Sequence, residues 1–213
     1  MSNIAERKSA KEFDQELLDL YDYYVHGAID RRTFMERATK FAVGGLTAAA
    51  LLQALSPQYA WAAEVPKEDA RVKSEYLKYA SPNGSKEMRG LFAKPANATG
   101  KLPGIIVVHE NRGLNPYVED VTRRAALAGF VAFAPDALYP LGGYPGNDEQ
   151  GVTMQRTLKP ETINEDFIAA TQFLQKHADC NGKIGVTGFC FGGGMANRLA
   201  VRLPDIVKAA VPY

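Results

Sequence analysis

The chain has 213 residues, of which 46% are hydrophobic, and a net charge of +1 from 25 basic and 24 acidic side chains. That leaves room for one ordinary domain plus an extension, with apolar material for a sizeable core. The absence of a long basic run argues against a nucleic-acid partner, and two cysteines cannot make a disulfide framework.

Residues 12–28 place Leu17, Leu20, Tyr21, Tyr24 and Val25 at helical spacing. The pair Arg31-Arg32 follows, then a mildly apolar stretch from Phe41 to Leu55, then the small-residue pattern Ala60-Trp61-Ala62. That order resembles a twin-arginine export signal, cut after Ala62. The apolar stretch, about 15 residues, is shorter than the roughly 20 that span a bilayer. The expected division is an extension at 1–62 and a domain at 63–213, with a periplasmic destination. The competing expectation is a helical extension retained on a cytoplasmic protein.

Beyond the extension, strands and helices alternate. Val72–Tyr79 is rich in strand formers, Ser81-Pro82-Asn83-Gly84 is turn chemistry, and Met88–Ala93 can return as a hairpin partner. Ile105–Val108 is a continuous apolar run suited to a strand covered on both faces. A helix is predicted over Pro116–Ala128 with Gly129 as its stop, and a second buried strand over Phe130–Ala134. Residues 135–160 read as a loop. Ile163, Phe167, Ala170 and Leu174 then predict an amphipathic helix over Thr162–His177. Asn181-Gly182 turns the chain into a strand over Lys183–Gly188. A helix over Phe191–Arg202 and a strand over Val207–Val211 follow. The pattern predicts an α/β fold, a mainly parallel sheet with helices on both faces, edged by an antiparallel hairpin.

The sharpest motif is Gly188-Phe189-Cys190-Phe191-Gly192, set between a strand and a helix. A nucleophile on so tight a turn needs neighbours without side chains two positions away, which Gly188 and Gly192 supply. Gly193 and Gly194 are expected to let the helix pack close to the sheet. The helix N-terminus favours a thiolate, and the Phe191 N–H is expected as one donor of an oxyanion hole. Cys180 is read as a buried apolar residue in the loop before the strand. A strand's length then separates the two thiols, so no Cys180–Cys190 disulfide is expected.

With these residues in view, the sequence resembles the dienelactone hydrolase family of α/β-hydrolases. The resemblance rests on Gly182–Gly193, on Pro103–Glu110 with Arg112-Gly113-Leu114-Asn115, and on Ala134–Tyr139, and it covers roughly 72–213. It implies hydrolysis of a small-molecule ester or lactone through a Cys-Asp-His triad, without metal or organic cofactor. It implies that Glu110 contacts the resting Cys190 and that the Asn111 N–H is the second oxyanion donor. His109 is read as positioning the loop rather than as a base, and Asp136 as capping the loop after its strand. Arg156 lies near where arginines of the family bind carboxylated lactones.

The triad partners should follow the nucleophile in the order acid, then histidine. Of the 23 residues after Cys190, Asp205 is the sole acid and none is histidine. The expectation is a truncated polypeptide or pseudogene product, an α/β-hydrolase fold incomplete at its C-terminus and inactive alone. A separately encoded C-terminal polypeptide could complete it. The other expectation is an exported, non-catalytic binding or interaction module. Substrate identity and oligomeric state are not legible.

Overall fold

The structure is a computed structural model that describes residues 12–44, 46–56 and 63–213. The chain divides into two units, residues 1–58 and 59–213.

In the first unit three short helices gather around one apolar cluster: α1 (Gln15–Val25), α2 (Arg31–Ala38) and α3 (Ala48–Leu55). Each starts on a side-chain cap. Asp14 accepts from Glu16 N–H, Asp30 from Thr33 N–H and Thr47 from Ala50 N–H. Leu17, Leu20, Phe34, Ala38, Leu51 and Leu52 are buried together, with Tyr21 and Tyr24 against Phe34. The paired arginines open α2, next to its Asp30 cap. Ala60-Trp61-Ala62 lies outside the described residues. Among the described residues no helix is long and apolar enough to cross a membrane.

The second unit is built on a six-stranded sheet. Its strands are β1 (Val72–Ser81), β2 (Lys86–Pro95), β3 (Leu102–Val108), β4 (Val131–Pro135), β5 (Cys180–Gly188) and β6 (Val207–Pro212). Their spatial order is β1-β2-β4-β3-β5-β6. The hairpin β1–β2 is antiparallel and β2 pairs antiparallel with β4, whereas β4, β3, β5 and β6 run parallel. Side chains alternate between the faces along each strand. Leu91, Val107 and Ala134 meet Val118 and Val121 of α4 (Pro116–Leu127) on one face. Phe92, Ile106, Val108 and Phe133 on the other face meet Phe167 and Leu174 of α6 (Pro160–Lys176) and Met195 and Leu199 of α7 (Phe191–Arg202). Each such large side chain contributes about 1.5–3 kcal/mol by leaving water.

Helix α4 stops where Gly129 takes φ +95°, a left-handed residue after the last turn. The hairpin tip has a further cause beyond turn chemistry. The buried Asp166 carboxylate of α6 accepts from Ser81 Oγ (2.5 Å), Ser85 N–H (2.8 Å) and Ser85 Oγ (2.7 Å).

Two expectations are corrected. Residues 135–160 are not all loop: they hold a one-turn helix at Tyr139–Leu141 and the helix α5 (Asp148–Gln155). Helix α5 has no apolar stripe to announce it, because Gly151 and its polar residues are placed by contacts with distant chain. Cys180 is not in a loop but opens β5, buried, opposite Leu102 of β3. Both thiols are free, held apart by a nine-residue strand that spans about 26 Å.

Candidate active site

Strands β3 and β5 are parallel neighbours with Val108 opposite Gly188, so the loops leaving them emerge side by side at the carboxyl end of the sheet. Ligand crevices of open α/β sheets form at this edge. From β3 comes His109-Glu110-Asn111-Arg112, and from β5 comes Phe189-Cys190.

Cys190 has φ +54° and ψ −111° at the N-cap of α7. Only one other described residue besides glycine, Lys86, has positive φ. Such a conformation costs of order 1–3 kcal/mol and persists only where the surroundings enforce it. Here they do. Cys190 N–H donates to Tyr213 C=O (2.9 Å), and Tyr213 N–H donates to Gly188 C=O (2.9 Å). A Cβ on Gly188 would overlap Gly192 C=O, and one on Gly192 would overlap Val108 C=O and come within 2.8 Å of His109 C=O. Gly193 is as constrained, since its Cβ would sit 2.5 Å from Tyr213 O. Gly194 departs from expectation. It is exposed, with nothing within 4 Å of a Cβ placed there, so close packing is the work of Gly192 and Gly193. The Cys190 side is open to solvent.

The facing loop is pinned by His109. Its fully buried ring lies against Phe167 (5.9 Å between centroids) and stacks on Phe191 (6.0 Å, 22°). Nε2 accepts from Ala137 N–H (3.1 Å) and Nδ1 lies 2.6 Å from Glu110 C=O. Burial pushes its pKa down to about 4, so the ring is neutral. Both ring nitrogens are engaged by backbone groups of the loops around it.

Glu110 is paired through Oε2 with Arg112 Nε (3.4 Å), and Arg112 Nη1 meets Asp148 Oδ2 (3.0 Å). Tyr144 OH donates to Asp148 Oδ1 (2.8 Å), and its pKa is raised, first by burial and then by that carboxylate. This chain of polar groups ties the loop after β3 to α5. Asp136 accepts from Leu138 N–H (3.1 Å) and pairs with Arg89 (3.3 Å). Burial raises its pKa, and it closes its own loop.

Asn111 and Phe191, the two residues whose N–H groups were expected as oxyanion donors, line one cavity of about 280 Å³. Neither N–H finds an acceptor among the described residues. The cavity wall also holds Gln155 and Arg156 at the end of α5, Ile163 of α6 and Arg198 of α7. Two buried oxygens on this wall, Asn111 Oδ1 and Gln155 Oε1, lack a hydrogen-bond partner among the described residues. Sequence reasoning missed Gln155, Arg198, Arg112 and Asp148. One signal could have found α5: Asn147 and Gln150 form a reciprocal cap, with Gln150 N–H donating to Asn147 Oδ1 (2.8 Å). Among the described residues no cluster of three histidine, cysteine or acidic side chains could hold a metal ion.

A mixed, mainly parallel sheet with a glycine-flanked residue on a strained strand-to-helix turn defines an α/β-hydrolase fold. Residues 88–213 match the family model described as dienelactone hydrolase, and the chain belongs to that family. Residues 5–43 match a second model, described as YqhI-like. The chain is 53% identical over 115 residues to YghX of Escherichia coli (strain K12), provisionally named a hydrolase fragment, covering 54% of this chain and 98% of that one. It is 34% identical to a provisionally named carboxymethylenebutenolidase of Synechocystis, over 62% of this chain and 56% of the relative. The chain therefore spans nearly all of YghX but about half of that longer relative. A crystal structure titled as a dienelactone hydrolase of Klebsiella pneumoniae, also provisionally named, superposes with a TM-score of 0.51 at 24% identity. It covers 62% of this chain and 56% of that one, and the likeness is one of fold.

Proposed function

We propose that Cys190 is the nucleophile of a thiol-dependent ester or lactone hydrolase site, with Glu110 beside it and the N–H groups of Phe191 and Asn111 as the oxyanion hole. The observation that carries this reading is the strained backbone of an exposed Cys190 on the turn between β5 and α7. A thiol in an unstrained helix or strand would need no such enforcement. In the reaction the Cys190 thiolate attacks the carbonyl, a C–S bond forms, the C–O bond to the leaving group breaks, and water must later cleave the thioester.

Acylation of Cys190 by an activated ester, whose leaving group needs no proton, should proceed. Mixing the purified chain with p-nitrophenyl acetate tests this. One equivalent of p-nitrophenolate released in a burst, followed by a slow phase, supports the reading, and both should vanish in Cys190→Ala. Sustained turnover in that variant would dispose of it.

One observation favours a second reading, in which a separate polypeptide completes the site. Val201 on α7 is 79% exposed and Tyr213 just after β6 is 72% exposed. The outer edge of β6 pairs with no strand among the described residues. Co-expression with the C-terminal half of a longer relative should then raise turnover, whereas an unchanged rate argues against it. The Arg31-Arg32 pair supports export by the twin-arginine route with cleavage after Ala62. Retention of full-length chain in the cytoplasm of a competent host, unaffected by an Arg31→Lys/Arg32→Lys change, would count against that.

A further inference from the structure

The His109 ring makes two hydrogen bonds whose directions are not interchangeable. Ala137 N–H can only donate, so Nε2 must be the bare nitrogen and Nδ1 must carry the proton. Nδ1–H therefore donates to Glu110 C=O at 2.6 Å. That carbonyl belongs to the peptide unit that also contains Asn111 N–H. In a planar trans peptide the C=O and N–H point in opposite directions. Holding the carbonyl toward the buried imidazole therefore turns the Asn111 N–H away from it. Asn111 lines the cavity shared with Phe191, and its N–H has no acceptor among the described residues. The same imidazole stacks on Phe191 (6.0 Å, 22°), and Gly192 lies against the His109 carbonyl. One side chain thus touches both loops that carry the open N–H groups.

We infer that His109 is a positioning residue which, locked as the Nδ1–H tautomer between Ala137 and Glu110, keeps both oxyanion donors formed before any ester binds. This rests on Cys190 being the nucleophile. The ring touches no substrate atom. It acts by removing the freedom of the 110–111 peptide to flip, a motion that would place a carbonyl oxygen where the developing oxyanion needs a donor. Complete burial, with no ionised form available near neutral pH, keeps the tautomer fixed across the range in which a thiol works.

The test separates this role from mere support of the fold by using two reactions of the same sulfur. Acetylation by p-nitrophenyl acetate passes through an oxyanion, whereas alkylation by iodoacetamide does not. His109→Phe keeps a planar ring between Phe167 and Phe191 but loses both hydrogen bonds. It is expected to slow acetylation of Cys190 about 10–100-fold while alkylation stays within about twofold, given what a misplaced or missing donor costs. His109→Gln can accept from Ala137 and donate to Glu110, and should recover most of the acetylation rate. Equal losses in both reactions, or undiminished acetylation in His109→Phe, would overturn the proposal. Nitrogen-15 NMR of the wild-type histidines stands apart from catalysis and from the folding of the variants. A neutral Nδ1–H signal for His109 at pH 7 supports the lock and an Nε2–H signal refutes it. A wild-type chain that alkylates at Cys190 but never acetylates there would reject the nucleophile, and the tautomer signal would still decide the pin.

Discussion

The two walls of the cavity are built by different physics. On the elbow side, Gly188, Gly192 and Gly193 are dictated by backbone oxygens only 2.4–2.5 Å from where a Cβ would stand, so the site is fixed by hard contact with main chain. On the α5 side, the helix that ends at Gln155 is tied through Asp148 to Tyr144 and to Arg112, 36 residues away, which also pairs with Glu110. Under the proposed function, rigid backbone would serve the reacting carbonyl and polar side chains the rest of the ligand. A tight turn leaves room for little variation in chemistry, whereas a wall of polar contacts can be rebuilt for another substrate.

The elbow is easiest to break at Gly192. Gly192→Ala drives a Cβ into Val108 C=O, so the elbow must open. The expected loss exceeds the roughly 3 kcal/mol usual for overpacking, read as a drop in the denaturation midpoint and loss of Cys190 acetylation. An unchanged midpoint would mean that the turn is less confined than its geometry states.

Acid provides the next largest effect. An unfolded histidine takes up a proton near pH 6.5, whereas the buried His109 resists until about pH 4. The unfolded state therefore binds more protons between those values, and stability must fall as pH drops through that window. The loss attributable to His109 reaches about 3 kcal/mol at its lower end. Urea titrations at intervals from pH 7 to 4 measure it, and His109→Gln should flatten the slope.

On the other wall, a Cβ at Gly151 would overlap Arg112 C=O, so Gly151→Ala should shift α5 and cost about 2 kcal/mol. Acetylation by a small ester should survive that change better than it survives Gly192→Ala, because α5 carries no oxyanion donor. The smallest effect has the opposite sign. Gly194 sits in open space inside a helix, so Gly194→Ala should stabilise by about 0.5–1 kcal/mol with chemistry intact. Thermal denaturation of the two alanine variants of one glycine run, Gly192 and Gly194, is the sharpest contrast.

The same difference governed what the sequence disclosed. The apolar runs of β3 and β4, the stripe Ile163-Phe167-Ala170-Leu174 and the glycine spacing around Cys190 are patterns legible within a short window. Each appears in place. The ion pair of Arg112 with Asp148 is not legible in this way, since nothing near either residue signals a partner 36 residues away. Cys180 was misplaced for a related reason: Asn181-Gly182 reads as a turn, yet the sheet recruits Cys180 through Leu102 across an irregularity in β3 pairing. Gly194 differs because a run of three glycines looks uniform while the fold presses on only the first two.

The assignment of Cys190 as nucleophile rests on the reactivity of one sulfur. After brief exposure to p-nitrophenyl acetate, tryptic peptide mapping should find a single acetyl group on the peptide bearing Cys190, with the buried Cys180 unlabelled. Acetyl groups scattered over lysines with Cys190 unmodified would contradict it.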